Sequence, residues 1–359
     1  MRGVCLLTRS EKYSSKLDIS RSLIRIFVAM NMLLKKIFIV ATMLATMCSC
    51  GGVSTQTSDA KRHDTPISVP VFNADSAYNY VAQQVAMGYR VPGTDVHKHT
   101  AQWLANEMRR HGATVIVQEA TVEAYSGERL PMYNIIAQFA PENPNRILLA
   151  AHWDSRPYAD RDPNPDNHRS PIAGANDGAS GVGILLEMAR HIGAVPLSVG
   201  VDIILFDVED YGAPEWMQGD YSDSWALGSQ YWASHPHKPG YRARYGILLD
   251  MVGASGLCFY REYFSQYYAS HIVDKVWRCA ERLGYSSVFV DAMGGAITDD
   301  HLYMNRAGIP SIDIIQMTDN SETGFFAQWH TVDDTMQHID AYMLGAVGET
   351  VLTVIYEEK

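Results

Sequence analysis

The sequence predicts a single α/β domain with three layers, in which helices cover both faces of a mixed, mainly parallel central sheet. Apolar segments of strand length alternate with amphipathic segments of helix length, which is the order that such a sheet requires. Val201–Phe206 is apolar at nearly every position, as expected of a strand that is covered on both faces. No internal repeat is visible, and 359 residues with 47% hydrophobic content can form a sizeable core.

The N-terminal segment has the layout of a secretory signal. Two lysines precede an apolar run over residues 37–47, and the stretch Cys-Ser-Cys-Gly-Gly follows. The run is shorter than the roughly 20 residues that a membrane-spanning helix needs. We therefore predict a signal region over residues 1–49, with Met30 and Met32 as alternative starts.

The end of this signal resembles a bacterial lipoprotein processing site, because Cys50 has Ser before it and Gly after it. Cys48 is the weaker candidate, since the bulky Met47 would precede the cut. We expect a lipid anchor on Cys50 that holds the protein to a membrane of the bacterial cell envelope, facing the periplasm. Residues 50–70 would form a flexible tether, and residues 71–359 would form the folded domain.

Charge argues against nucleic acid as a partner. Without residues 1–49, which hold eight Lys or Arg and two Asp or Glu, the net charge falls from −11 to −17. Such a surface repels phosphate backbones. Past Cys50 only Cys258 and Cys279 remain, and the sequence leaves open whether they pair or stay as two buried thiols.

The elements of the domain follow from periodicity and turn signals. Helices are predicted from Asp75 and over His97–His111, with Gly112 ending the second. Strands are predicted at Thr114–Val117, Tyr133–Phe139, Ile147–Ala151, Val201–Phe206, Ile247–Asp250, Ser287–Val290 and Ser311–Ile315. Further helices are predicted at Ala179–Ile192, Phe264–Leu283, Leu302–Ala307 and Ile339–Tyr356.

Three segments without a period are predicted as loops. Residues 211–225 are rich in Gly, Asp and aromatic residues, and residues 316–332 carry a Trp-His pair. Residues 160–166 combine Asp with Pro, which is typical of a solvated turn cluster, although a calcium site is an alternative.

Histidines and acids recur where the predicted strands end. They are His152 with Asp154, Asp177, Glu209 with Asp210, Asp250, and His330. Ligands of open α/β sheets bind at the carboxyl ends of the strands. Adjacent acids are costly to ionise together, and a cation relieves that cost. A catalytic zinc ion takes three His or carboxylate ligands and leaves a fourth position open, so the pattern predicts a metal hydrolase-like site.

The motifs HWD, GANDGASG, DVED, LLDM, DDH and WHTVDD occur in this order over residues 75–359. With them the chain resembles the zinc-dependent glutaminyl cyclases of the animal type and their bacterial relatives, whose fold is shared with the di-zinc aminopeptidases. The resemblance implies a glutaminyl-peptide cyclotransferase that converts the N-terminal Gln of peptides and proteins to pyroglutamate with release of ammonia. A monomer is the expected state.

Carried over by motif, the resemblance implies one zinc ion per chain, held by Asp177, Asp210 and His330. Asp210 departs from the animal enzymes, which more often show Glu there. An Asp ligand is one methylene shorter, so the strand end that carries it must lie nearer the metal.

The resemblance also implies roles for the residues around the zinc ion. Glu209 would be the acid and base of the reaction, while Asp250 and Asp299 would support the substrate amine and a proton relay. Contacts to the substrate are assigned to Trp329, Trp216 and His301. His301 would in addition be a hydrogen-bonding member of the relay.

Two other functions use the same residues. In a di-zinc aminopeptidase, His152 and Asp250 would hold a second metal ion and Asp177 would bridge the two. The pair Asp299 and Trp329 favours the cyclase, because an aromatic side chain beside the metal makes a narrow pocket for one small side chain. A catalytically dead, lipid-anchored peptide-binding protein would need a missing ligand or base, and none is missing.

Overall fold

A computed structural model describes residues 69–256, 258–318 and 323–359. The predicted signal region, Cys50 and most of the tether lie outside these residues. The described residues fall within one compact unit, Pro66–Lys359. None of the helices in the described part of the chain is both long and apolar enough to cross a membrane.

The described residues form eight strands and seven α-helices. The strands are β1 (Thr114–Glu123), β2 (Arg129–Phe139), β3 (Arg146–His152), β4 (Gly200–Phe206), β5 (Gly246–Asp250), β6 (Cys258–Arg261), β7 (Phe289–Met293) and β8 (Ser311–Met317). The helices are α1 (Ala74–Ala86), α2 (Asp95–Arg110), α3 (Ala179–Ala194), α4 (Leu227–Ser234), α5 (Tyr263–Arg282), α6 (Asp300–Arg306) and α7 (Ala341–Tyr356).

The strands form one sheet in the order β1-β2-β4-β3-β5-β8-β6-β7. Its centre is parallel, because β4, β3, β5 and β8 pair with one another in the same direction. β2 runs antiparallel to β4, and β6 runs antiparallel to β8, so the sheet is mixed. The parallel centre has both faces buried, which explains the apolar sequences of these strands.

Alternate residues of the central strands enter two separate cores. Ile147 and Leu149 of β3 pack in the larger core with α1, α2, α3, α5 and α7. Leu148 and Ala150 face the opposite side and pack with Trp232 of α4 and Met304 of α6. The period of two along each strand therefore produces three layers, and the predicted fold class is confirmed.

Two elements were missed by the sequence prediction. The helix α4 has no capping side chain, because Ala226 precedes it in a left-handed conformation with φ of 56°. The strand β6 has only four residues, and its partners β7 and β8 lie far along the chain. Neither leaves a local signal that periodicity or capping can detect. In addition, β1 extends well past Val117 because it pairs with β2 along its whole length.

Candidate metal centre and active-site cavity

The parallel strands bring the predicted site residues to one edge of the sheet. His152 is the last residue of β3, and Asp250 is the last residue of β5. Glu209 and Asp210 follow β4 directly, while Asp177 lies just before α3. These side chains therefore lie at the carboxyl ends of the parallel strands, which is the edge where α/β sheets bind their ligands.

The turn that carries Asp177 is held by a second acid. Asp334 accepts hydrogen bonds from the backbone N–H groups of Asn176 at 2.8 Å and Asp177 at 3.0 Å. Gly178 has a φ of 97°, and a Cβ there would lie 2.5 Å from the carbonyl oxygen of Asp154. Only glycine fits this close approach, so the Asp177 carboxylate is fixed by backbone geometry rather than by a flexible loop.

The segment after β4 is fixed in the same way. Asp154 accepts hydrogen bonds from the backbone N–H groups of Glu209 and Asp210, each at 3.1 Å. Val208 just before them has a φ of 53°, a conformation that costs free energy for a β-branched residue. Asp154 thus orients Glu209 and Asp210 through their backbone N–H groups. Both carboxylate oxygens of Asp154 are used in these two hydrogen bonds.

Asp177, Asp210 and His330 form the first group that could hold a metal ion, which we call the front group. One ligand atom from each lies within 4.8 Å of the others. Nε2 of His330 is 3.2 Å from Oδ1 of Asp210 and 3.7 Å from Oδ2 of Asp177. All three side chains are buried, and Oδ2 of both aspartates has no hydrogen-bond partner. Unpaired carboxylate oxygens beside an imidazole are the donor set that zinc prefers.

His152, Asp177 and Asp250 form a second group, which we call the rear group. Here Nε2 of His152 lies 3.1 Å from one oxygen of Asp177 and 3.1 Å from one oxygen of Asp250. The facing atoms of this group are therefore already paired with one another. Asp177 belongs to both groups and contributes a different oxygen to each.

A cavity of about 280 Å³ opens beside the front group. Its wall includes Glu209, Asp250, Asp299, Trp225, Phe325 and Trp329. Glu209 is partly exposed, in contrast to the buried metal-ligand candidates. Trp329 stacks on His330 with ring centroids 3.7 Å apart. The cavity is narrow and aromatic, and carboxylates line it together with the front group.

The acids of this cavity strongly influence one another. Burial raises the pKa of Glu209 well above its usual range, and the neighbouring acids Asp299 and Asp210 add to the rise while His152 opposes it. Burial also raises the pKa of Asp250 to about 7, again with His152 opposing. Carboxylates whose pKa is raised by burial and by neighbouring acids are typical of acid and base sites.

Two residues predicted to contact the substrate lie away from the cavity wall. Trp216 is 38% exposed and packs edge-on against Tyr158, with the guanidinium of Arg169 5.0 Å from its ring. His301 is completely buried in α6. Neither side chain is part of the wall of this cavity, and their predicted contact with the substrate stays a prediction.

His301 lies between two buried acids behind the cavity. Its Nε2 is 3.3 Å from Glu262, and its Nδ1 is 3.7 Å from Asp313. Asp299 caps the same helix through its own oxygen and reaches the cavity wall. His301 therefore lies behind the cavity wall, next to Glu262 and Asp313, and not on the wall itself.

The sequence analysis missed several residues at this edge. Trp225 lines the cavity and stacks on His330 with ring centroids 5.9 Å apart, although the sequence predicts only an aperiodic loop for its segment. Asp160 and Asp162 are buried rather than part of a solvated turn. Arg156 was not singled out at all, and it is completely buried beside Asp210. A loop without periodicity gives no signal for such positions.

A model of peptidase family M28 matches residues 134–355. Among solved structures, the glutaminyl cyclase of Tannerella forsythia is 55% identical with a TM-score of 0.80, covering 81% of this chain and 100% of that chain. A Zn-dependent exopeptidase of Parabacteroides distasonis ATCC 8503 is also 55% identical with a TM-score of 0.80, covering 81% of this chain and 100% of that one.

Of two further relatives, one is named an aminopeptidase and the other a glutaminyl-peptide cyclotransferase. Aminopeptidase YwaD of Bacillus subtilis is 30% identical over 67% of this chain and 48% of its own length. The glutaminyl-peptide cyclotransferase of Bos taurus is 26% identical over 62% of this chain and 65% of its own length. The chain thus spans between about half and two thirds of these relatives. The resemblance read from the motifs is confirmed.

Proposed function

The chain belongs to peptidase family M28, and we propose that it is a zinc-dependent glutaminyl-peptide cyclotransferase acting on peptides and proteins with an N-terminal Gln. The observation that carries this proposal is the shared cavity, in which the partly exposed Glu209 and the front group line one narrow aromatic space. The 55% identity to a solved glutaminyl cyclase over that protein's whole length supports the same reaction.

The front group fits one zinc ion. Asp177, Asp210 and His330 supply two carboxylates and one imidazole, and Oδ2 of each aspartate accepts no hydrogen bond from the described residues. When bound, zinc supplies Lewis-acid polarisation of the γ-carbonyl of the substrate glutamine. Three protein ligands leave the fourth position open for that oxygen.

Glu209 moves the proton of the reaction. The α-amine of the substrate attacks its own γ-carboxamide carbon, so a C–N bond forms while the bond to the amide nitrogen breaks. Glu209 accepts a proton from the attacking amine and returns it to the leaving nitrogen, which departs as ammonia. No water is consumed, and the peptide keeps every other bond. The raised pKa of Glu209 favours both transfers, because the side chain holds the accepted proton more readily than an ordinary carboxylate does.

The remaining cavity residues bind and orient the substrate. Asp250 and Asp299 line the cavity as acceptors for the amine and as continuations of the proton relay toward His301. Trp329 closes one side through its stacking on His330, and Phe325 packs against it with ring centroids 4.7 Å apart. These aromatic walls exclude water, which would otherwise compete with the amine as a nucleophile.

A di-zinc aminopeptidase is the second candidate. The specific observation in its favour is the rear group, since His152, Asp177 and Asp250 also offer ligand atoms within 4.8 Å of one another. We rank it second because Oδ2 of Asp177 and Oδ2 of Asp210 in the front group accept no hydrogen bond, whereas in the rear group Nε2 of His152 faces both Asp177 and Asp250 at 3.1 Å.

The deciding experiment measures zinc per chain and identifies, by mass, the products formed from the dipeptide Gln-Ala. One zinc with loss of ammonia and an intact peptide bond supports the cyclase. Two zinc ions with release of free Gln would replace it with the aminopeptidase. Metal-free protein that binds the dipeptide without converting it, even after zinc is added, would contradict both enzymes.

We also propose that the protein is anchored through Cys50 to a membrane of the bacterial cell envelope, facing the periplasm, and acts as a monomer. The support is the lysine, apolar and small-residue layout of residues 35–52. The full chain with Cys50→Ala should lose both incorporation of labelled palmitate and membrane association, whereas Cys258→Ala should lose neither. Equal labelling of the Cys50→Ala variant would overturn the anchor.

A further inference from the structure

The loop between β3 and α3 carries an ion pair that the reaction does not use. Arg156 is completely buried, and its Nε and one terminal nitrogen donate to the two oxygens of Asp160 at 2.8 Å and 2.6 Å. Asp160 is 5% exposed. The pair therefore lies in the interior at the edge of the sheet where the front group is found.

Each partner of this pair reaches a candidate metal ligand. The other terminal nitrogen of Arg156 donates to the carbonyl oxygen of Asp210 at 3.1 Å and lies 3.4 Å from its carboxylate oxygen Oδ1. Oδ1 of Asp160 lies 3.4 Å from Nδ1 of His330, the ring nitrogen that faces away from the front group. One ion pair thus touches two of the three candidate ligands from behind.

The same pair joins the segments that carry these ligands. Arg156 also donates to the carbonyl oxygen of Gly212 at 3.3 Å, and Asp160 accepts from the backbone N–H of Glu215 at 3.0 Å. The backbone N–H of Arg161 donates to the carbonyl oxygen of His330 at 3.1 Å. The loop after β4 and the loop that carries the histidine are therefore tied to the loop after β3.

A buried ion pair of this kind contributes little to the stability of a fold. Taking two charges out of water costs free energy that their attraction repays only in part, so apolar residues of similar volume are often as stable. Asp160 accepts two hydrogen bonds from Arg156, and its Oδ1 also lies 3.4 Å from Nδ1 of His330. A carboxylate kept charged beside a ligand histidine is a common device for fixing the imidazole tautomer and its orientation.

We propose that Arg156 and Asp160 are a positioning pair for the metal centre: Asp160 holds the proton of His330 on Nδ1 so that Nε2 faces the metal, while Arg156 draws Asp210 into place. This inference rests on the zinc site of the proposed function. It accounts for a ligand that is one methylene shorter than Glu, because Arg156 fixes both the backbone carbonyl and the carboxylate of Asp210. Trp225 adds to the rigidity, since its ring lies 4.7 Å from the guanidinium and stacks on His330.

The test compares four variants of the full chain. Asp160→Asn removes the charge with little change in shape, and Arg156→Lys keeps the charge but loses the planar fork that binds Asp160 and Asp210 together. Asp166→Asn and Arg169→Lys make the same chemical changes at exposed positions in the same loop and serve as matched controls.

The first measurement is the zinc dissociation constant, determined by competition with a chelator. Loss of a carboxylate behind a ligand histidine weakens metal binding by about 10- to 100-fold, and we expect that range for both site variants. The controls should stay within about twofold of the unchanged protein. Unchanged zinc affinity in both site variants would overturn the proposal.

Two further readouts separate positioning from a general loss of structure. The melting temperature of the metal-free Asp160→Asn variant should fall, because Arg156 stays buried without its charge partner. The absorption spectrum of its cobalt(II) form should shift as well, because the ligand geometry changes. A large fall in melting temperature with an unaltered cobalt spectrum would show that the pair supports the fold only. If Asp160→Asn itself does not fold, the same comparison is made with Arg156→Lys.

These measurements do not depend on which reaction the enzyme catalyses. Failure of the cyclase proposal would appear in the products of Gln-Ala, while zinc affinity and the cobalt spectrum would still report on the pair. Failure of the positioning proposal would leave those products unchanged. The two outcomes are therefore distinguishable.

Discussion

The front and rear groups share Asp177 and have similar ligand types, yet their internal contacts differ. In the front group, Asp177 and Asp210 each keep one buried oxygen without a partner. In the rear group, the single atom Nε2 of His152 lies 3.1 Å from one oxygen of Asp177 and 3.1 Å from one oxygen of Asp250. The comparison teaches that residue type and spacing alone do not identify a metal site. In the front group, Oδ2 of Asp177 and Oδ2 of Asp210 accept no hydrogen bond and can bind a cation, whereas in the rear group Nε2 of His152 already faces both carboxylates.

The largest expected effect is on the front group itself. His330→Ala should abolish zinc binding and cyclase activity, because it removes one of only three protein ligands. Zinc content after gel filtration and the rate of pyroglutamate formation measure both losses. His271→Ala, at an exposed position on α5, is the control and should leave both unchanged. Full zinc content in His330→Ala would mean that the metal is held by the rear group instead.

Glu209→Gln should retain zinc while slowing turnover by about 10²- to 10⁴-fold, which is the range for loss of a positioned acid and base. The change keeps the shape of the side chain and removes only its ability to carry the proton. Zinc content and kcat should be measured on the same preparation. Loss of zinc together with activity would instead show that Glu209 is a zinc ligand and belongs to the front group.

His152→Gln tests the rear group directly. We expect zinc content to stay at one per chain and activity to fall by about 10-fold or somewhat more, as is usual when a residue behind the ligands is changed. Stability should also fall, because Asp177 and Asp250 lose their shared partner. A drop from two zinc ions to one would show that the rear group holds a metal and that the enzyme is an aminopeptidase.

Glu262 extends the comparison to a buried carboxylate outside both groups, whose two oxygens accept hydrogen bonds from the protein. It accepts from the backbone N–H groups of Phe264 and Ser265 and from the hydroxyl of Ser265. Burial opposes ionisation, but these bonds and His301 lower the pKa of Glu262 to about 2. A carboxylate whose pKa is lowered stabilises the folded state above its ordinary pKa, and this stabilisation is lost as pH falls toward the lowered value.

Glu262→Gln should therefore destabilise the protein by about 3 kcal/mol at pH 7, since each pKa unit corresponds to about 1.4 kcal/mol. The difference from the unchanged protein should shrink between about pH 4.5 and pH 2 and vanish below that. Urea unfolding of both proteins at several pH values measures this difference. Zinc content should not change. A difference that is independent of pH would show that packing, rather than charge, gives Glu262 its role.

The sequence determined the fold class and most of the residues at the edge of the sheet where the site lies. Strands such as β4 are apolar throughout because they are buried on both faces, and this pattern is readable without any structure. The acids and histidines that end these strands follow from the same pattern, because parallel strands bring their carboxyl ends together. Local signals of this kind made Asp177, Glu209, Asp250 and His330 identifiable.

Only the tertiary structure decided which side chains surround the metal centre. Trp216 and Trp225 lie in one aperiodic loop, and the fold places Trp225 in the cavity wall and Trp216 at the surface. Asp160 falls in a segment predicted as a solvated turn and Arg156 has no sequence signal, yet long-range contacts to Asp210 and His330 bury them. The physical reason is that periodicity encodes which face of an element is buried, whereas a loop takes its burial from segments that are distant in sequence.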